Sequence, residues 1–354
     1  VPGQSRLLGI FLAVLVERYE MTPISELVAA LDIGGTRYRV ALVDRRMRMV
    51  ARSEGRTLPQ EGTKRAIARM AQHLQRMQEE GGKSRIKAVG VAIASPVDPQ
   101  TGILYAPPNL PAWDGVSLLE LFQQHLGLPT FIGNDANLAA LGEQQFGAGR
   151  GVKELIYLTI STGIGGGVIT DGRLLLGSGG LAGELGHITV DRRGARCPCG
   201  NTGCVEALAS GTAIARIARE RLEAGEQSTV LRKVKNLTAE VVFEAASQKD
   251  PLAKDIVETA ALDLAAAIVS MIHMFNPELI VLGGGIGYSQ WPVLAPVVEE
   301  YVRRHAMRQF QRDIRFTASA LGDDAGLLGA ASLAWHGVGS QSRGRGVATR
   351  RRRE

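Results

Sequence analysis

Short apolar runs that end on glycine recur along the chain and set its first outline. Val28 to Ile33 is such a run; it breaks at Gly34 and Gly35 and resumes from Tyr38 through Val43. The pattern predicts strand, glycine turn, strand. Leu155 to Ile160 and Gly167 to Thr170 repeat it around a turn from Ser161 to Gly166, so the chain reads as two related α/β halves. From Thr63 to Glu80, residues Ile67, Met70, Ala71, Leu74 and Met77 fall at helical spacing, and Gly81-Gly82 ends that helix. Further strands are expected at Ile86 to Ala94, Thr130 to Ile132 and Leu279 to Leu282, the last running into Gly283 to Gly287. Helices are expected at Leu118 to Leu126, Ala136 to Phe146, Ala207 to Glu223, Pro251 to Phe275 and Ala325 to Trp335. The fourth of these stops at Asn276-Pro277, where a proline stop is required. Between Pro96 and Pro111 the prolines predict a loop.

Composition narrows the class. The 354 residues are 45% hydrophobic, enough for a large core and, on length, for two domains. The formal charge is +6, but the last twelve residues hold six arginines and one glutamate. Most of the excess therefore sits on a tail, 339–354, whose Gly/Arg/Ser composition predicts disorder, and a nucleic-acid-binding surface is not supported. Leu7 to Val16 is apolar but too short to span a bilayer, and no A-x-A cleavage site follows it. The expectation is no membrane association and a dispensable, non-native extension at 1–20, with the true start at Met21. The three cysteines, Cys197, Cys199 and Cys204, are too few and odd for a disulfide framework, which fits the cytoplasm.

Three sequence features carry chemistry. The first is Asp32-Ile-Gly-Gly-Thr36, an acid at a strand end followed by two glycines and a hydroxyl. Glycines let backbone N–H groups turn toward an anion, and the carboxylate can hold hydrated Mg²⁺ between phosphates. The same string is also an ordinary hairpin turn. The second feature is the pair of later glycine turns at Ser161 to Gly167 and Gly283 to Gly287, which with no Walker A motif suggest a nucleotide site outside the P-loop class. Gly82-Lys83-Ser84 lacks the upstream glycine of that motif, and the Gly177 to Ala182 string lacks the long helix that a dinucleotide fingerprint needs. The third feature is His187, Cys197, Cys199 and Cys204, a donor set for tetrahedral Zn²⁺ with all four positions filled, hence structural. A buried histidine beside three unrelated thiols is the plainer alternative.

DIGGT, Asn134-Asp135, STGIGGG, the Glu-x-Gly-His of Glu184 to His187 and CPCGNTGCVE from Cys197 to Glu206 together resemble the ROK family of bacterial sugar kinases and sugar-responsive repressors, from about Leu31 to about Trp335. The resemblance implies a two-domain α/β fold, actin-like and hexokinase-like (ribonuclease H-like), with an interdomain cleft. It implies a small domain at 21–133, completed by a C-terminal helix near 315–338, and a large domain at 134–314 with the zinc motif. By the same resemblance Asp32, Gly34, Gly35, Thr36, Thr162 and Gly163 contact phosphate, and Gly284 and Gly285 border the adenosine. Asn109, Asn134, Asp135, Glu184, His187 and Glu206 bind sugar hydroxyls, with Asp135 the general base; a helix N-cap is the other role open to Asp135. Ala94-Ser95-Pro96 departs from the Pro-Gly pair that many members carry, which bears on one edge of the sugar site.

The activity so implied is an ATP- and Mg²⁺-dependent hexose kinase of carbohydrate metabolism, converting glucose to glucose 6-phosphate as in glycolysis. Kinases for N-acetylmannosamine, N-acetylglucosamine, mannose or fructose share these motifs, and polyphosphate is a second donor to consider. From other classes come a sugar-responsive transcriptional regulator and a catalytically silent sugar sensor. Thirty-one residues ahead of Asp32 are few for a DNA-binding domain and linker, and intact Asp32 and Asp135 speak against decay. The family also implies a homo-oligomer, a dimer or tetramer.

Overall fold

The structure, a computed structural model, describes residues 26–80, 85–311 and 314–350, with 340–350 as backbone only. The expected extension at 1–20, the Gly81-Gly82 stop and the rejected Gly82-Lys83-Ser84 string lie outside the described residues. The first sheet is built from β1 (Glu26–Ile33), β2 (Arg37–Asp44), β3 (Met49–Arg56), then, after helix α1 (Thr63–Glu80), β4 (Arg85–Ile93) and, after α2 (Leu118–Leu126), β5 (Thr130–Asn134). Its order is β3-β2-β1-β4-β5, the first three strands antiparallel and the last two parallel to β1. Both faces of β1 are buried. Leu27, Ala29, Leu31 and Ile33 meet the apolar stripe of α1, while Val28 and Ala30 face the C-terminal helix. A strand covered on both sides reads as an unbroken apolar run, as this one does.

Helix α3 (Asp135–Phe146) leads to the second sheet, made of β6 (Leu155–Ile160), β7 (Ile164–Thr170) and β8 (Arg173–Leu174). After α4 (Val205–Ala209), α5 (Gly211–Glu223), α6 (Ala239–Ser247) and α7 (Pro251–Phe275) come β9 (Leu279–Gly283), α8 (Gly284–Ser289), α9 (Trp291–His305), β10 (Arg315–Ala318) and α10 (Ala325–Arg350). The order β8-β7-β6-β9-β10 reproduces that of the first sheet strand for strand. The two related halves expected from the repeated glycine turns are therefore present, and the fold is the two-domain actin-like one. α7 is long and apolar enough to cross a membrane on length and composition. Here it is a core helix: Asp250 caps its N-terminus at Ala253 N–H (3.1 Å), Pro251 opens it, and twelve of its side chains are buried, most in the second domain's core.

The apolar pattern did not mark β3, β8, α6 or α9, the glycine turn expected at Gly283 to Gly287 opens helix α8, and three further stretches depart from expectation. Residues 207–223 form two helices, because the Ser210 hydroxyl caps α5 at Ala213 N–H and the next amides, of Gly211 and Thr212, bond the Ser161 and Thr162 carbonyls instead of continuing α4. β10 pairs with β9, so residues 315–318 belong to the second sheet, and the chain returns to the first domain only with α10. α10 runs past Trp335 to Arg350, so the backbone of 339–350 is helical where composition suggests disorder. α3 and α10 cross in the middle of the molecule at near backbone contact. A Cβ on Gly329 would lie 1.8 Å from the Leu138 carbonyl oxygen, so the crossing requires glycine there.

Candidate active site

The C-terminal ends of the parallel strands in both sheets open onto one cleft of about 740 Å³, the position where open α/β sheets bind ligands. From the first sheet come Asp32, the Ala94 to Pro96 segment, Asn134 and Asp135; from the second come Thr159, Ser161 to Gly163, Gly284 and Gly285. Asn109, Glu184, His187 and Glu206 complete the wall together with Cys199. The sequence-derived candidates thus converge, with one exception. Gly34, Gly35 and Thr36 are off the cleft wall. Gly34 N–H closes the β1–β2 hairpin on Arg37 O (2.9 Å), Thr36 is exposed, and a Cβ on Gly35 would lie 2.7 Å from that of Asn109. The second glycine makes room for the loop that carries Asn109, so this string acts as a hairpin turn that sets Asp32 at the cleft.

Asp135 opens α3, but it is not the cap. The Asn134 side chain accepts from the N–H groups of Ala136 (3.0 Å) and Asn137 (3.1 Å), which makes Asn134 the N-cap. Asn134 also donates to the Ser95 carbonyl at 3.3 Å, so its amide is largely committed to positioning. Ser95, the departure noted in the sequence, is buried and receives that bond through its main chain. Asp135 holds Ala136 N–H at 2.8 Å through one oxygen, which leaves the other for a ligand. Its carboxyl is pushed up to about 7, first by burial and then by the negative charge of Asp32, with Glu184 adding to the effect and Ala136 N–H opposing it.

Asp32 is raised too, by burial, although Arg39 at 3.1 Å opposes the shift; Asp323 and Asp324 add to it. Buried carboxylates whose charge is not fully compensated make a setting for a cation, and Asp32 keeps one oxygen free of Arg39. The Glu206 carboxylate receives Ile164 N–H at 2.9 Å and so braces the second glycine turn, while Thr212 Oγ donates to Thr162 O at 2.5 Å. Glu184, raised by burial against the pull of His187, lies 3.9 Å from His187 Nε2.

His187, Cys197, Cys199 and Cys204 come together with their donor atoms all within 4.8 Å of one another. Cys199 and Cys204 sulfurs are 3.7 Å apart, and His187 Nδ1 is 3.6 Å from the Cys197 sulfur. A tetrahedron with Zn–S of about 2.3 Å has edges of about 3.8 Å, so the donor set fits Zn²⁺. His187 would ligate through Nδ1, with Nε2 aimed at Glu184.

The sequence reading overlooked Arg39, Asp323 and Asn137. Arg39 pairs with Asp32 directly across the β1–β2 hairpin. That register follows from a turn centred on Gly35-Thr36, closed by Gly34 N–H on Arg37 O, which the glycine pair alone does not specify. Asn137 donates to the Ala182 carbonyl at 3.1 Å and so fixes the loop before Glu184, 45 residues away.

The ROK family model matches residues 28–336. The chain belongs to the ROK family. It is similar to the glucokinase of Thermotoga maritima, 37% identical over 312 residues, which cover 87% of this chain and 97% of that protein. N-acetylmannosamine kinase of Salmonella arizonae is 36% identical, over 86% of this chain and 97% of its own. Among solved structures, a ROK family glucokinase from Streptomyces griseus in complex with glucose and AMPPNP superposes with a TM-score of 0.73 at 33% identity, covering 88% of this chain and 99% of that one. This ROK protein is a phosphotransferase that acts on sugars.

Proposed function

We propose that this ROK protein is an ATP-dependent hexose kinase that converts glucose and ATP to glucose 6-phosphate and ADP, with Asp135 as general base. One observation carries the reading: Asp135, at the end of β5 and facing the cleft between the domains, has a carboxyl pushed up to about 7. A base of that strength takes a proton near neutral pH, as a sugar hydroxyl must lose one while attacking phosphorus. Asn109, Glu184, His187 and Glu206 offer the mixed donors and acceptors that a polyol binds.

In the transfer, the sugar oxygen bonds to the γ-phosphorus, its proton passes to Asp135, and the bond to the leaving ADP oxygen breaks. Thr162 and Gly163 flank the cleft where donor phosphates would lie, and Gly284 and Gly285 border the nucleotide. Mg²⁺ bound with the donor would neutralise its phosphates, and Asp32 would hold it through its free oxygen. Zn²⁺ would be structural, because its four ligands close the coordination sphere and hold the segments of Glu184 and Glu206. We further read the chain as a cytoplasmic homo-oligomer, on the family's habit.

The similarity to an N-acetylmannosamine kinase favours a second reading, an N-acetylhexosamine as acceptor. A coupled assay of ADP release over glucose, mannose, fructose, N-acetylglucosamine and N-acetylmannosamine separates the two. The expected result is the highest kcat/KM with glucose; a preference of tenfold or more for N-acetylmannosamine would replace it, and no turnover with any of them would remove the kinase reading.

A further inference from the structure

Arg39 is the only arginine or lysine on the cleft wall among the described residues, and five carboxylates share that wall with it: Asp32, Asp135, Glu184, Glu206 and Asp323. The phosphates of a nucleotide donor would meet mostly like charge on such a surface, and an arginine can offset it by binding phosphoryl oxygens. The Arg39 guanidinium is divided between two acids, with Nη1 on Asp32 at 3.1 Å and Nη2 on Asp323 at 2.9 Å. The two bonds differ in kind. Asp32 is mostly buried and lies opposite Arg39 in the sheet register, whereas the Asp323 side chain is 81% exposed. An ion pair to an exposed acid is weak and readily exchanged. The turn that carries Asp323 does not depend on it, since Arg52 holds the neighbouring Asp324 at 3.0 Å.

We propose that Arg39 is a catalytic residue that binds the donor's terminal phosphate, exchanging Asp323 for phosphoryl oxygens while Asp32 keeps the other half of its fork in place. The inference rests on the kinase reading above. Throughout the transfer the Arg39 guanidinium meets the negative charge on the phosphoryl oxygens; the bonds made and broken are those already given. A planar fork with two separate donor faces suits this role, and a lysine would supply a single point charge in its place.

Calorimetric titration of the full chain with Mg·ATP, AMP and glucose tests it. In Arg39→Gln, Mg·ATP affinity should fall tenfold or more, while AMP and glucose affinities stay within twofold of the parent. Turnover should fall on the order of 10²-fold or more, with Arg39→Lys between the two and added guanidinium restoring part of the turnover of Arg39→Ala. Asp323→Asn, which frees the fork, should bind Mg·ATP more tightly. Mg·ATP affinity within twofold of the parent in Arg39→Gln overturns the inference, as does an equal loss of ATP and AMP. A parent that binds Mg·ATP but phosphorylates no hexose defeats the kinase reading while the affinity result still decides whether Arg39 holds the phosphates; a parent that takes up no Mg·ATP overturns both.

Discussion

A carboxyl group that titrates near neutrality is an acid–base tool only if a substrate reaches it, and the Asp135 carboxyl is both raised and on the cleft wall. Burial and the charge of Asp32 raise it to about 7 while one of its oxygens stays free. The sign of the pH dependence follows: the base must be ionised, so kcat/KM should fall about tenfold per pH unit below about 7 and level off above it. Asp135→Asn should lower kcat on the order of 10²-fold or more and abolish that acid limb, while glucose affinity changes far less. Because Asn134 is the N-cap, the substitution leaves the start of α3 intact and the loss reads on chemistry. An Asn variant with near-parent turnover would move the base elsewhere, with Glu184 next in line.

At the scale of elements, α3 does more than present Asp135. Its Glu143 is fully buried and accepts from Leu321 N–H (2.9 Å), Ala148 N–H (2.8 Å), Ala320 N–H (3.3 Å) and the Ser319 hydroxyl. One carboxylate thus ties the helix that opens the second domain to the turn that leads into α10. Glu143→Ala would leave the buried Ser319 hydroxyl and three part-buried N–H groups without this acceptor, so a loss of about 3 kcal/mol or more is expected in urea unfolding. A smaller loss, under about 1 kcal/mol, would mean that water or a shifted turn satisfies them. The α4–α5 break at Ser210 belongs to the same logic: the helix stops where its amides are needed to hold the Thr162 turn.

For the whole molecule, two sheets of one topology face each other through α3 and α10, and the cleft lies where their strand ends meet. The His187, Cys197, Cys199 and Cys204 cluster lies on the second domain's side of that cleft, with Glu184 three residues before His187 and Glu206 two residues after Cys204. Metal analysis should find one Zn²⁺ per chain. Its removal by a chelator, or Cys199→Ser, should lower Tm by about 5 °C or more and weaken glucose binding together with it. Metal-free protein with unchanged Tm and glucose affinity would show that the four side chains merely neighbour one another.

Local chemistry was legible in the sequence. Apolar periodicity marked β1, α1, α2 and α7 because each is decided by neighbours a few residues apart. The His/Cys₃ cluster was legible because all three thiols fall within eight residues. Asp135 stood out as an acid at a strand end, but whether it or Asn134 caps α3 depended on which side chain folds back onto the amides. Which part of DIGGT faces the cleft, and that Gly35 yields space to Asn109, came from packing between segments. β10 joins the second sheet, and Arg39 reaches Asp323 across 284 residues, only once both domains have closed around α10. Strand periods and turn residues act within a single stretch of chain, so sequence alone determined the strongly patterned elements and most of the acids on the cleft wall. Partners far apart in sequence are chosen by the packing of the two domains, and that choice belonged to the tertiary structure.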